Sequence, residues 1–157
     1  VKVKLILIGK TKSKFLLDGE SEYQKRLKHY CKFSELIISD IKNAGKLSKK
    51  ELKEREGNLI LESIKNSDYV ILLDDKGITL SSIEFSEFLN KKMASSTNEL
   101  VFIIGGAFGF SESVYQRANI KLSLSKMTFS HQMVRLIFKE QLYRAFTIIK
   151  NEKYHHE

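Results

Sequence analysis

The 157-residue sequence predicts an α/β domain with three layers built around a mainly parallel β-sheet. Short apolar runs typical of strands alternate along the chain with longer segments of helical periodicity. Two helix starts carry the capping-box pattern, in which a serine is followed three residues later by a glutamate. No proline, low-complexity stretch or internal repeat marks a linker, so residues 1–157 are expected to form a single domain.

The first half of the chain predicts two strand–helix units. Val3–Ile8 is a predicted strand, because apolar residues alternate with lysine at its start and then continue as a short run. Apolar residues then recur at helical spacing: Leu16, Tyr23, Leu27 and Tyr30. Phe33–Ile38 is the second predicted strand, and after a basic loop Ser48 with Glu51 opens the second predicted helix.

The next part of the chain continues the alternation. Tyr69–Leu73 and Leu100–Ile104 are apolar runs bounded by polar turns, which predicts two further strands. Between them, Ser81 and Glu84 form the second capping box at the start of another helix.

The C-terminal part predicts a short helix, a last strand and a long helix. Ser111 is a candidate cap for a helix that ends at Arg117, and Ile120–Leu124 has strand character. His131–Lys150 has one long helical pattern with more apolar residues than a single core-facing stripe requires. The second apolar face favours a dimer interface.

The chain is strongly basic, with 27 lysines and arginines against 19 acidic residues. This excess favours a polyanionic partner such as RNA, although a generally soluble basic protein would have the same net charge. The single cysteine, Cys31, excludes an intrachain disulfide and a zinc cluster of paired cysteines, and no apolar run approaches the length of a membrane span. We therefore expect a cytoplasmic protein that binds neither a membrane nor a metal.

A ligand is expected beyond the carboxyl ends of the parallel strands, in the loops after Leu73, Ile104 and Leu124. The middle loop, Gly105–Gly109, has three glycines between a strand and a helix start. This arrangement suits close approach of the backbone to a ligand, but a simple tight turn would use the same residues. Its spacing and its position in the chain do not match the dinucleotide-binding fingerprint.

Polar side chains cluster in the other two loops. Asp74 and Asp75 could bind a metal or hydrogen-bond a ligand, although two adjacent acids usually form a solvated turn. Ser123–His131 is dense in hydroxyl groups and ends on His131, which suits a general base, an RNA contact or a surface residue at a helix start.

Other motifs narrow the enzyme class. No Ser-His-Asp order, no H-E-x-x-H motif and no paired cysteines occur, which excludes the common hydrolase and zinc-enzyme classes. Near the C-terminus, Tyr154 and His155 add titratable and hydrogen-bonding groups, although chain ends are commonly disordered.

Taken together, the motifs resemble one known family along the whole chain. The matching elements are, in order, Ile8-Gly9-Lys10, Glu56-Gly57, Leu73-Asp74 with Gly77, Ile104-Gly105-Gly106 with Gly109, Leu124-Ser125 with Met127-Thr128, His131 with Arg135, Glu140 to Ala145, and Tyr154-His155. On these residues the chain resembles the SPOUT-class methyltransferases that modify ring N3 of a pseudouridine in large-subunit (23S) rRNA.

The resemblance implies a fold, a cofactor and partners. The fold would be an α/β knot, with a deep trefoil knot in the C-terminal half, and the protein would be a homodimer whose active site draws on both subunits. The methyl donor would be S-adenosylmethionine, and the substrate would be rRNA in the assembled ribosome, which implies a role in rRNA processing. Carried over residue by residue, the cofactor contacts fall on Leu73, Gly105, Leu124, Ser125, Lys126, Met127, Thr128 and Phe129.

The resemblance also suggests which residues lie nearest the chemistry. The N3 proton must leave before or during methyl transfer, and a base or a hydrogen-bond donor would assist. The candidates are His131, Tyr154 and His155. Arg135 is expected to position phosphates or to stabilise negative charge on the base, although a helix arginine can instead serve a dimer salt bridge.

Two positions depart from the family pattern. Ser130 stands where the family usually has proline, and His156 stands where an arginine commonly follows Tyr-His, so the rigidity of the loop and the charge of the tail are expected to differ. A run of lysines is the predicted RNA-docking surface: Lys42, Lys46, Lys49, Lys50 and Lys53. The alternative function is a non-catalytic RNA-binding or ribosome-assembly module that keeps the fold.

Overall fold

Strands and helices alternate throughout residues 1–156, which the computed structural model describes. The strands are β1 (Lys2–Ile8), β2 (Lys32–Ile38), β3 (Tyr69–Thr79), β4 (Leu100–Ile104) and β5 (Ile120–Ser123). The α-helices are α1 (Lys14–Leu27), α2 (Lys49–Glu62), α3 (Ser82–Ala94), α4 (Glu112–Arg117) and α5 (Met133–Ile149), and a 3₁₀ turn covers Ala44–Lys46. Within residues 1–156, no helix combines the length and the apolar character that crossing a membrane requires.

The strands form one sheet in the order β2-β1-β4-β3-β5. Each of the four pairings between neighbouring strands is parallel. The carboxyl ends of all five strands therefore lie along one edge, and β4, β3 and β5 are neighbours there. The predicted α/β class with a mainly parallel sheet is confirmed.

Helices cover both faces of the sheet and produce the predicted three layers. Side chains of β1 alternate between the faces: Leu5 and Leu7 join a core with α1, α3 and α5, whereas Ile6 joins a second core with α2 and α4. Because its two faces are both covered, β4 is a continuous apolar run in which every residue is buried.

Local capping explains where three helices begin. The hydroxyl oxygens of Ser48 and Ser81 each accept a hydrogen bond of 3.1 Å from the N–H three residues further on. The carboxylates of Glu51 and Glu84 accept bonds from the N–H groups of the two serines in return, which completes both predicted capping boxes. Ser111 caps α4 as predicted.

The third strand is longer than predicted. It was expected to end at Leu73, but it continues to Thr79 beside β5, with a register shift between Leu73 and Ile78. A Cβ on Gly77 would lie 2.5 Å from the carbonyl carbon of Lys121 in β5. Glycine therefore allows the two backbones to approach closely and the strand to resume after the irregularity.

Two helix boundaries also differ from the prediction. The last helix begins at Met133 rather than at His131, because the Ser130 hydroxyl accepts the Met133 N–H at 3.1 Å and closes a turn before the helix. The first helix ends at Leu27, so Tyr30 lies outside it, where its ring stacks on the last helix.

Charged residues lie on the buried face of α5. The Lys139 side chain is 1% exposed, and its ammonium group lies 2.7 Å from Glu20 of α1 and 2.5 Å from Glu35 of β2. Because both partners are acidic, the buried charge is compensated. The apolar residues elsewhere on α5, among them Leu136 and Ile137, are partly exposed. The homodimer interface predicted there, like the trefoil knot, stays a prediction.

Candidate active site

A cavity of about 490 Å³ lies at the carboxyl edge of the sheet. Its walls come from the irregular middle of β3, the ends of β4 and β5, side chains of α4 and α5, and the loop before α5: Leu73 to Lys76, Ile104 to Phe110, Leu122 to Ser125, Met127 to Phe129, Tyr115, His131 and Val134. This volume is within the range of about 300–1,000 Å³ that is usual for small-molecule sites. The three segments that the sequence singled out therefore meet in one cavity, although the first of them lies within β3 and is not a loop.

The glycine loop Gly105–Gly109 forms one wall of the cavity. A Cβ on Gly106 would lie 2.9 Å from both carboxylate oxygens of Glu56, so the absence of a side chain lets the loop rest directly on α2. Glu56 is itself buried, and burial, with the nearby charge of Asp40, raises the pKa of its carboxyl group. The N–H of Gly109 donates to the carbonyl of Gly106 at 3.2 Å and closes the turn.

Phe108 is the aromatic residue of this loop. It lines the cavity, yet 47% of its surface is exposed. The ammonium group of Lys49, at the start of α2, lies 5.0 Å from the centre of the ring, within cation–π range. Phe108 could not be identified from the sequence, because a phenylalanine in a glycine loop gives no sign that it will be exposed.

Asp74 and Tyr115 form a hydrogen-bonded pair in the cavity wall, and the Tyr115 hydroxyl lies close to Gly109 of the glycine loop. The Tyr115 hydroxyl donates to Oδ2 of Asp74, and the N–H of Lys76 donates to Oδ1 at 2.8 Å. Burial alone would raise the pKa of the Asp74 carboxyl, but these hydrogen bonds to its charged form outweigh burial and lower it. Burial and the bond to Asp74 raise the pKa of Tyr115. The site therefore contains one ionised carboxylate held by a protonated phenol.

The loop after β5 is shaped by its own hydroxyl groups. Ser123 donates to the carbonyl of Ser125 at 2.7 Å, and the Ser125 hydroxyl accepts the N–H of Met127 at 3.0 Å. These bonds turn the chain so that Leu124, Ser125, Met127, Thr128 and Phe129 line the cavity. Lys126, which was expected to join them as a cofactor contact, is not part of the lining.

The structure separates two predicted catalytic residues, His131 and Arg135. His131 is exposed and lines the cavity. Arg135 is fully buried, and its guanidinium donates to the carbonyls of Ile8 at 2.7 Å and Gly9 at 2.9 Å and to the Thr11 hydroxyl at 3.1 Å. Both terminal nitrogens hold the β1–α1 turn, and the side chain is outside the cavity lining of its own chain. The predicted contact of Arg135 with the substrate stays a prediction.

Tyr154 is anchored on α1 and α5. Its hydroxyl donates to Oε1 of Glu140 at 3.0 Å and lies 3.3 Å from the hydroxyl of Tyr23. Burial, followed by these hydrogen bonds, raises the pKa of Tyr154, so the phenol stays protonated. The tail is thus ordered as far as this contact, and Tyr154 does not line the cavity of its own chain.

His155 is held by an arginine of the motif Glu140 to Ala145. Nη1 of Arg144 lies 3.1 Å from Nδ1 of His155, and Nη2 of Arg144 donates to Oε1 of Glu140 at 2.7 Å. Because an arginine N–H can only donate, Nδ1 of His155 is the acceptor in this contact. His155, like Tyr154, is not part of the cavity lining of its own chain.

Comparison with known proteins finds similarity over the whole chain. The family model described as "Predicted SPOUT methyltransferase" matches residues 1–155. A protein of Flavobacterium johnsoniae named ribosomal RNA large subunit methyltransferase H is 57% identical over 155 residues, which is 99% of each chain. A protein of Parabacteroides distasonis with the same name is 53% identical over 157 residues, which is 100% of both chains.

A solved structure provides a separate comparison of the fold. A probable methylase family protein from Haemophilus influenzae superposes with a TM-score of 0.52, covering 95% of this chain and 66% of that chain. The two sequences are 13% identical, so this likeness supports the fold alone.

Proposed function

The chain belongs to the SPOUT methyltransferase family, and on that premise we propose that it transfers a methyl group from S-adenosylmethionine to ring N3 of a pseudouridine in large-subunit (23S) rRNA. The observation that carries the proposal is the convergence of Leu73, Gly105 and the loop after β5 on one cavity. These are the positions at which the family resemblance expects the methyl donor. We further propose that residues 1–157 form a single SPOUT domain, with the trefoil knot in its C-terminal half.

The charge of the cavity suits this cofactor. When bound, S-adenosylmethionine supplies an electrophilic methyl group carried on a positively charged sulfonium. Asp74 lines the cavity and is kept ionised by its hydrogen bonds, so it offers a carboxylate to a cationic ligand.

Three segments would hold the cofactor. Leu73 and Leu124 provide apolar wall, Ser125 and Thr128 provide hydroxyl groups, and Gly105 provides backbone without a side chain in the way. Met127 and Phe129 complete the loop, and Met127 is largely exposed, so it can cover a ligand from the solvent side. Enclosure of this kind excludes water and aligns the reacting atoms, which is where much of the catalysis should come from.

Removal of the N3 proton is assigned to histidine. His131 lies in the cavity wall, where it can accept this proton or stabilise the resulting charge on the base. Tyr154 stays protonated, so its role would be donation to negative charge on the base. His155, which Arg144 holds through Nδ1, would lie beside Tyr154 near the reacting base.

We propose a homodimer in which the tail of one protomer completes the cavity of its partner. Tyr154 and His155 do not line the cavity of their own chain, yet the family resemblance places them near the chemistry. Both conditions are met if α5, with partly exposed Leu136 and Ile137, forms the interface.

Subunit mixing tests the dimer. Gly105→Leu, which obstructs the cavity, and His155→Ala, which alters the tail, should each be nearly inactive alone. Mixed one to one by reversible dissociation, they should recover about a quarter of wild-type activity, because half of the dimers are mixed and each has one intact site. No recovery in a mixture shown to exchange subunits would place the tail and the cavity in the same chain.

The rRNA partner is supported by the position of the basic surface. Lys42, Lys46 and Lys49 are exposed, and Lys49 contacts Phe108 at the cavity. A basic surface that adjoins the cavity would bind the phosphates that flank a target base. We expect the protein to act in the cytoplasm on the assembled ribosome.

Methyl transfer to defined substrates tests the function. Purified protein and methyl-labelled cofactor would be incubated with free 23S rRNA, isolated large subunits or assembled ribosomes, each from a strain that lacks the modification. We expect label in the assembled ribosome. If no substrate is labelled and calorimetry detects no cofactor binding, the non-catalytic RNA-binding or ribosome-assembly module would replace this proposal.

A further inference from the structure

Phe108 does not pack in the hydrophobic core, so core packing does not account for this large apolar side chain. Its ring belongs to neither hydrophobic cluster of the described residues, and 47% of its surface remains exposed at the cavity. The loop that carries Phe108 is anchored on α2, where Gly106 packs directly against Glu56. A half-exposed aromatic ring on an anchored loop is a suitable platform for stacking a planar ligand.

The surroundings of Phe108 are basic. The Lys49 ammonium lies 5.0 Å from the centre of the ring, and Lys49 is the first residue of α2. Lys46 and Lys50 on either side of it are also exposed. An aromatic ring beside a lysine is a combination with which proteins bind single-stranded nucleic acid, because the ring stacks on a base while the cation binds a phosphate.

Two planar groups could stack on this ring, the adenine of the cofactor and a base of the RNA. The Lys49 ammonium beside the ring would repel the sulfonium cation and attract a phosphate of RNA. The neighbouring glycine Gly105, and not Phe108, is where the family resemblance expects the cofactor. Both considerations favour the RNA base.

We propose that Phe108 stacks on an unpaired base of the substrate RNA, at or next to the reacting nucleotide, while Lys49 binds a phosphate of the same strand. This inference rests on the proposed function and adds to it the element that holds the RNA at the cavity. Reading unpaired bases by stacking is the usual way in which proteins recognise RNA, since the grooves of an RNA duplex expose little sequence information.

Steady-state kinetics with ribosomes tests the stacking role. Phe108→Leu keeps an apolar side chain but removes the ring, and it should raise KM for ribosomes or lower kcat/KM by about 5- to 150-fold, the loss expected for one base–aromatic stack. Its Kd for S-adenosylmethionine should stay within about twofold of the wild type. Phe108→Tyr should restore most of the activity, and Phe15→Leu, at an exposed phenylalanine of α1 outside the cavity, should have no effect.

A fluorescent variant distinguishes the two planar ligands. The chain contains no tryptophan, so Phe108→Trp introduces a single tryptophan, whose emission can be followed separately from that of the six tyrosines. Its emission should be quenched by a short single-stranded RNA and should change little with S-adenosylmethionine alone. Quenching by the cofactor and not by RNA, or by neither, would overturn the proposal.

The salt dependence of ribosome binding tests Lys49. Lys49→Gln should reduce the slope of log affinity against log salt by about 0.7–0.9, the value for one phosphate contact. Lys91→Gln, at an exposed lysine of α3 on the other face of the sheet, should leave the slope unchanged. If wild-type protein methylates ribosomes but Phe108→Leu and Lys49→Gln behave as wild type, the stacking site is wrong and the proposed function stands. If the wild type transfers no methyl group, the proposed function fails first.

Discussion

Replacing Arg135 by methionine should lower the free energy of unfolding, and the size of this decrease follows from the contacts of Arg135. The side chain is fully buried and donates three hydrogen bonds, to Ile8, Gly9 and Thr11. Each hydrogen bond from a charged donor contributes about 1.5–3 kcal/mol, but burying the guanidinium costs several kcal/mol in return. Leaving a buried hydrogen-bond acceptor unsatisfied costs about 1–3 kcal/mol, and methionine retains part of the packing. We therefore expect the free energy of unfolding to fall by about 3 kcal/mol.

Thermal unfolding followed by circular dichroism measures this loss. For a chain of this size, about 3 kcal/mol corresponds to a decrease in Tm of about 6–12 °C. Arg55→Met, at an exposed arginine of α2, is the matched control and should change stability by less than about 0.5 kcal/mol. Arg135→Lys keeps the charge without the planar fork, so its Tm should lie between those of Arg135→Met and the wild type.

The opposite pattern would refute the structural role of Arg135. If Arg135→Met unfolds at the wild-type temperature while methyl transfer falls by orders of magnitude, the guanidinium acts on the substrate. In that case its hydrogen bonds to the β1–α1 turn are dispensable, and the reasoning from burial is wrong.

Three further predictions concern the cavity and the sheet. The pKa of Asp74 is lower in the folded protein than its ordinary value, so the ionised carboxylate stabilises the fold above the ordinary pKa, and this contribution is lost as pH falls through the folded pKa. Tyr115→Phe removes a hydrogen bond to the ionised form and should raise the folded pKa of Asp74, which a carboxyl NMR titration would record as a higher midpoint. Gly77→Ala places a Cβ 2.5 Å from the backbone of β5 and should cost about 1–3 kcal/mol in urea unfolding, whereas Gly45→Ala, with no atom within 4 Å, should cost less than about 1 kcal/mol. His131→Gln should slow methyl transfer by about 10²- to 10⁴-fold without weakening cofactor binding by calorimetry, and a full rate would remove His131 from the chemistry.

Much of the architecture could be predicted because its signals are local. The caps at Ser48 and Ser81 depend on residues three positions away, and the run Leu100–Ile104 is apolar because helices cover both faces of the sheet. The extension of β3 past Leu73 could not be predicted in this way. It depends on the close approach of Gly77 to β5, and a contact between distant segments leaves no periodic pattern.

In the candidate site, too, some residues could be predicted from the sequence and others could not. The rule that ligands bind beyond the carboxyl ends of parallel strands identified the three segments that meet in the cavity. It could not identify Tyr115 or Phe108, whose importance lies in contacts with Asp74 and Lys49. A polar-tipped aromatic residue in the helix directly after the glycine loop was the available signal for Tyr115.

Arg135 shows the limit of periodicity for charged residues. Helical patterns assign charges to the solvent side, so an arginine near a predicted site suggests a substrate contact. Here the sheet edge offers carbonyl groups of Ile8 and Gly9 that satisfy a buried guanidinium, and Lys139 is buried against Glu20 by the same principle. Which charges have buried partners is decided by the tertiary fold.

The central claim is tested most directly by locating the transferred methyl group. Ribosomes from a strain that lacks the modification would be incubated with the protein and trideuteromethyl-labelled S-adenosylmethionine, and the nucleosides of the 23S rRNA would be separated and identified by mass spectrometry. The proposed function predicts a single labelled nucleoside, N3-methylpseudouridine. Label on another nucleoside or at another ring position, or no label under conditions in which the cofactor binds, would contradict it.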